Sequence, residues 1–159
     1  MSARRTSAGA ITLCVLIGGG AAFLVEVGLS ANNQPMIIPP LSLPLTLVLI
    51  AAVIVGLAIP VRRSITGASS TPVNPFAAVR LVAAAQASTL AGALFTGVGL
   101  GILGYMMTRT LAPPVESWVL VSAAALGGIL LVIAGLVVEH FCTLPPPEDG
   151  SADAADQPA

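Results

Sequence analysis

Residues 41–61 read LSLPLTLVLIAAVIVGLAIPV, an unbroken apolar run without a single charge. A helix crossing a hydrocarbon core of about 30 Å needs about 20 apolar residues, and this stretch supplies them. Three others match it: about 10–29, with one charge at Glu26; about 81–107, with none; and about 118–138, with Glu139 just beyond. The reading is an all-α integral membrane protein with four transmembrane helices in two antiparallel hairpins. Composition agrees. Of the 159 residues 56% are hydrophobic and 8% charged, where an ordinary soluble domain has about 25% charged. Six arginines, no lysine and seven acids could not cover the surface of a soluble enzyme, a nucleic-acid binder or a disordered chain.

The breaks between spans have local causes. Ala31-Asn-Asn-Gln-Pro35 is polar, and Pro39-Pro40 cannot lie inside a helix. Pro44 suits the first turn of the second helix. Pro60 followed by Arg62-Arg63 is expected to end it, and the Ser/Thr/Gly-rich segment 65–73 reads as loop. Asn74-Pro75 is a helix start, with Asn as cap and Pro at the first position. The third helix should therefore begin well before its apolar run and stand out of the hydrocarbon core. Pro113-Pro114 separates the third helix from the fourth, and Pro145-Pro146-Pro147 stops the fourth. The chain divides into a short N-terminus (1–8), a membrane domain (9–143) and an acidic tail (144–159) expected to be disordered.

Arginine placement sets the expected orientation. Arg4, Arg5, Arg62, Arg63 and Arg80 fall on one side and Arg109 alone on the other. The five-arginine side should be cytoplasmic, which puts both termini inside and the protein in the cell (inner or plasma) membrane. Tyr105 and Trp118 then fall at the outer interface, Phe76 and Phe141 at the inner one. Arg4-Arg5 before an apolar run also fits a signal peptide cleaved near Ser30-Ala31. Against this, the run exceeds the usual 7–15 residues and holds Glu26 and three consecutive glycines.

The segment from Asn74 onward resembles an actinobacterial family of small membrane proteins, the domain-of-unknown-function family 3180. The resemblance is carried by Asn74-Pro75, Ala78-Val-Arg80, Ala85-Gln-Ala-Ser88, Gly92, Gly97-Val-Gly-Leu-Gly101, and Glu139-His-Phe-Cys142 with the prolines after it. It implies a four-helix inner-membrane protein and no particular activity. Gln86 stands where members of that family often have Lys.

Gly99-Leu-Gly101-Ile-Leu-Gly104 spells G-x-G-x-x-G, but without the preceding strand or the following acid that a dinucleotide site needs. It reads as helix packing. Small residues recur every four positions at Ala85, Thr89, Ala93, Gly97 and Gly101, a stripe that lets helix backbones approach closely. Ala123, Gly127 and Gly135 on the fourth helix are its expected partners, with a homodimer seam as the alternative. The first helix has its own stripe, Ala10, Cys14, Gly18, Ala22 and Glu26. Glu26 on this side either reaches up to water or faces a cavity.

Arg80 and Glu139 fall near one level of an antiparallel hairpin and are a candidate ion pair. Gln86, Ser88 and Thr96, with Glu26, are the candidate polar intramembrane residues. His140 stands alone. Cys14 and Cys142 lie on the reducing side, where a disulfide is not expected. No catalytic set, metal cluster or phosphate loop is legible, so no enzyme activity and no cofactor are expected. The expected partners are the lipid bilayer and either further copies of the chain or other membrane proteins, not nucleic acid. The leading expectation is a structural or partner-binding membrane component; the alternative is a small-solute transporter or transporter subunit.

Overall fold

The computed structural model describes residues 6–65, 75–109 and 113–142. The expected tail, the segment after Ile65, and Arg4 and Arg5 lie outside the described residues. The described residues form four helices: α1 (Ala8–Ala31), α2 (Ser42–Ile65), α3 (Pro75–Thr108) and α4 (Val115–Cys142). All four are long and apolar enough to cross a membrane.

Each helix end follows from its residues. Ser7 caps α1, its hydroxyl oxygen accepting the Ala10 N–H at 3.2 Å. At the other end Asn33 has a φ of 53°. The Gln34 N–H bonds the Leu29 carbonyl at 2.9 Å and the Asn33 N–H bonds that of Ser30 at 3.1 Å. This is a Schellman stop, with Asn in the left-handed position more often held by Gly. Pro44 lies in the first turn of α2 and Pro75 opens α3, as expected. At 34 residues and about 1.5 Å per residue, α3 is about 50 Å long, well beyond a hydrocarbon core of about 30 Å. Pro60 does not end α2, which continues to Ile65. A proline removes one helical hydrogen bond, and membrane helices accommodate that loss through neighbouring groups.

The helices pack in the order α1, α3, α4, α2. The central α3–α4 pair is the close antiparallel hairpin: Gly92 meets Gly128 and Val132, Gly99 meets Ala125, and Gly135 meets Ala85 and Thr89. Helix α1 lies against α3 alone and runs parallel to it, with Gly18 against Leu94, Gly19 against Gly97 and Gly101, and Phe23 against Tyr105. Helix α2 runs parallel to α4, with Pro44 and Leu47 at Gly127 and Arg62 at Phe141. Thus α1 and α2, joined by residues 32–41 and opposite in direction, flank the central hairpin and do not pack on each other. Two apolar clusters fill the seams. Leu47, Ala51, Ile54 and Ala58 of α2 pack with Leu81, Ala85, Leu131, Ala134 and Val138. Toward the other end Ile102, Met106 and Val121 pack with Ala22, Met36 and Trp118.

The small-residue stripe of α3 serves two neighbours rather than α4 alone. Ala85 and Thr89 face α4, whereas a Cβ at Gly97 or Gly101 would strike the backbone of α1 at Val15 or Gly19. Residues four apart advance about 40° beyond a full turn, so the stripe winds about 160° between Ala85 and Gly101. Likewise Gly127 faces α2, while Gly128 and Gly135 face α3. Ala93 is fully buried; Gly99 packs against Ala125 and Gly101 against Gly19, whereas Gly104, also expected to be a packing position, is exposed and has open space where a Cβ would stand.

Candidate functional site

Two buried carboxylates fasten the segments on either side of α1. Glu26, at the end of the α1 stripe, is 2% exposed. Its Oε1 accepts the backbone N–H of Ile37 at 3.1 Å, so the carboxylate is turned inward rather than up to water. It ties down the connection between α1 and α2. Arg109 of the α3–α4 connection acts on it electrostatically. The same arginine donates from Nη2 to Ser30 Oγ at 3.2 Å, and its guanidinium carbon lies 5.6 Å from the Tyr105 ring centroid. Phe23 meets Tyr105 edge-on, with centroids 6.0 Å apart. Glu26, Ser30, Phe23, Tyr105 and Arg109 together clamp the end of α1 onto α3.

At the other end, Glu139 is also buried. Its Oε2 accepts the Thr6 backbone N–H at 3.2 Å, and its Oε1 accepts the Thr6 hydroxyl. Thr6 immediately precedes the Ser7 cap, so α4 holds the lead-in to α1. The expected Arg80–Glu139 ion pair does not form among the described residues. The carboxylate is taken by Thr6, and Arg80 stands exposed. The reason is angular: Arg80 lies five positions before Ala85, which faces α4, and so points about 140° away from it.

Of the remaining polar candidates, Ser88 and Thr96 bond carbonyls within α3, as does the neighbouring Thr89. Ser88 donates to the Ala84 carbonyl at 2.8 Å, Thr89 to Ala85 at 3.0 Å and Thr96 to Gly92 at 2.8 Å. Thr89 and Thr96 are buried in the α3–α4 seam, where their hydroxyls abut Gly135 and Gly128. Gln86 and Ser88 are half-buried. Among the described residues, every buried side-chain polar atom has a hydrogen-bond partner, and no three His, Cys, Asp or Glu residues cluster as metal ligands would. Sequence reasoning missed Thr6 and Ile37. Each is bonded across the fold through its backbone N–H, a group that every residue but proline carries, so no residue pattern announces it. It also missed Arg62, whose guanidinium carbon stacks 4.2 Å from the Phe141 ring centroid.

Four membrane-length helices around glycine-lined seams define a multi-pass α-helical membrane protein. The chain belongs to the family described as Protein of unknown function (DUF3180), whose model matches residues 11–146. The match takes in all four helices, not only the half from Asn74 onward. No curated protein and no solved structure matches the chain.

Proposed function

We propose that this protein is a non-catalytic structural or partner-binding component of the cell membrane, with both termini in the cytoplasm. The observation that supports this reading is where its intramembrane polar groups are used. Glu26 and Glu139 hold backbone segments, and the hydroxyls of Ser88, Thr89 and Thr96 bond carbonyls one turn back. Such groups lock a shape. A solute path would need them turned toward a shared passage. Helix α1, packed on one side only, turns Leu13, Leu16, Ile17 and Leu24 outward. The arginine bias supports the orientation.

A photo-reactive residue at Leu16 or Leu24, activated in native membranes, tests the role. A discrete crosslinked polypeptide is expected. Lipid adducts alone, together with solute uptake by liposomes carrying the purified protein, would favour a transporter instead. For the orientation, a reporter fused at the C-terminus should read cytoplasmic and one inserted between Asn32 and Pro39 should read the opposite side. A C-terminal reporter on the outer side overturns that part.

A further inference from the structure

The connection between α1 and α2 does not loop away from the bundle. At Asn33 the chain reverses, with the Gln34 N–H on the Leu29 carbonyl, and it comes back along α1. Ile37 reaches Glu26, which stands five residues, about 7.5 Å, before the last residue of α1. Met36 packs on the cluster of Ile102, Met106 and Val121. Helix α2 then starts deep. Pro44 and Leu47, in its first two turns, lie at Gly127, which is twelve residues, about 18 Å, into α4. Ser42 therefore stands about 10–15 Å deeper in the bundle than Val115 and about 5–10 Å deeper than Trp118. Tryptophan in membrane helices sits at the headgroup level, so residues 36–41 run at and just beneath that level.

The residues suit that depth. No charge occurs from Val27 to Val61. Pro35, Pro39 and Pro40 carry no N–H, and that of Ile37 is taken by Glu26, which lowers the cost of non-helical backbone near hydrocarbon. Met36 is half-buried and Pro39 buried against the bundle, whereas Ile37, Ile38 and Leu41 are exposed. Exposed Leu45, in the first turn of α2, continues this aliphatic surface onto the span. We propose that residues 36–41 are a re-entrant segment seated in lipid. Ile37, Ile38 and Leu41 contact acyl chains of the leaflet at the Trp118 end, and Glu26 is the positioning residue that holds the backbone at that depth. Lipid is the occupant because the surface is continuous with that of a span, and acyl chains remove three large aliphatic side chains from water. The inference goes beyond the proposed role and holds for either orientation of the protein.

The full chain in liposomes tests it, with Cys14 and Cys142 replaced by alanine and an environment-sensitive fluorophore on one introduced cysteine. Ile38→Cys reports on the segment, Asn33→Cys on the exposed turn, and Leu49→Cys on the exposed side of α2. Aqueous iodide should quench at position 38 roughly threefold less than at position 33. Phosphatidylcholine with a nitroxide high on its acyl chain should quench at position 38 as strongly as at position 49. Glu26→Ala should raise iodide quenching at position 38 about twofold, and Glu26→Gln, which keeps an acceptor oxygen, should not. Iodide quenching at position 38 equal to that at position 33 means a loop in water and overturns the proposal. Shielding from both quenchers means a protein cover and overturns it as well. If the segment reads as lipid-seated but Glu26→Ala changes nothing, Glu26 is not its positioning residue and that part is overturned. Should Glu26→Ala not fold, the reading at position 38 with Glu26 intact still decides where the segment lies.

Discussion

Gly97→Ala and Gly104→Ala insert the same methyl group into the same helix two turns apart, and the structure separates their outcomes. A Cβ at Gly104 meets nothing within 4 Å. There alanine's better helix propensity should stabilise by up to about 1 kcal/mol. At Gly97 the Cβ would fall onto the Val15 carbonyl oxygen and lie 2.9 Å from both the Val15 carbonyl carbon and the Gly19 nitrogen. These are backbone atoms of α1, so no side chain can swing aside. Relief requires α1 to back away from α3 by about half an ångström or more, and among the described helices α1 packs against α3 alone. A gap of about 0.5–1 Å forfeits a quarter to a half of each dispersion contact along a seam. Overpacking of this kind destabilises by about 1–3 kcal/mol, so we expect about 2 kcal/mol, roughly thirtyfold in the folded-to-unfolded ratio. Reversible unfolding in mixed micelles, with a fluorophore on α1 to report its detachment, measures the difference. Equal stability of the two variants, or a Gly97→Ala protein as stable as wild type, would refute the close α1–α3 seam.

Three further outcomes follow from the polar contacts. Glu26→Ala should leave the Ile37 N–H without its acceptor and destabilise by about 1–3 kcal/mol, with faster amide exchange at Ile37; Glu26→Gln, which keeps an acceptor oxygen, should restore most of the protection. In double-mutant cycles read by unfolding, Thr6→Val and Glu139→Gln should couple by more than about 0.5 kcal/mol, and Arg80→Ala with Glu139→Gln should be additive; a coupled Arg80 would reinstate the ion pair. Asn33→Gly should be neutral or slightly stabilising, whereas Asn33→Val should cost about 1–2 kcal/mol because a β-branched residue is strained in the left-handed region, and thermal melts of the two proteins check the ordering.

The four membrane-length helices and the early start of α3 at Pro75 were legible in the sequence alone. Hydropathy over 20 residues and the backbone restrictions of proline are local properties, and bilayer thickness converts them directly into helices. The stripe on α1 was legible too, since Gly18 and Glu26 both lie on its buried side. Where local rules met a tolerant context they misled, as at Pro60, which α2 passes through. Tertiary structure alone decided that α3 and α4 form the core with α1 and α2 at the edges. A membrane helix is apolar on every side and lipid is as apolar as leucine, so hydropathy does not mark the face that a neighbour will cover. The two directions served by the small residues of α3 emerge only when the about 40° drift of a four-residue repeat is set against real neighbours. Glu139 shows the same limit at a single residue. Its charge suggested Arg80, but the partner was settled by which way each side chain points around its helix, and the backbone of Thr6, brought over by α1, reaches it where Arg80 does not.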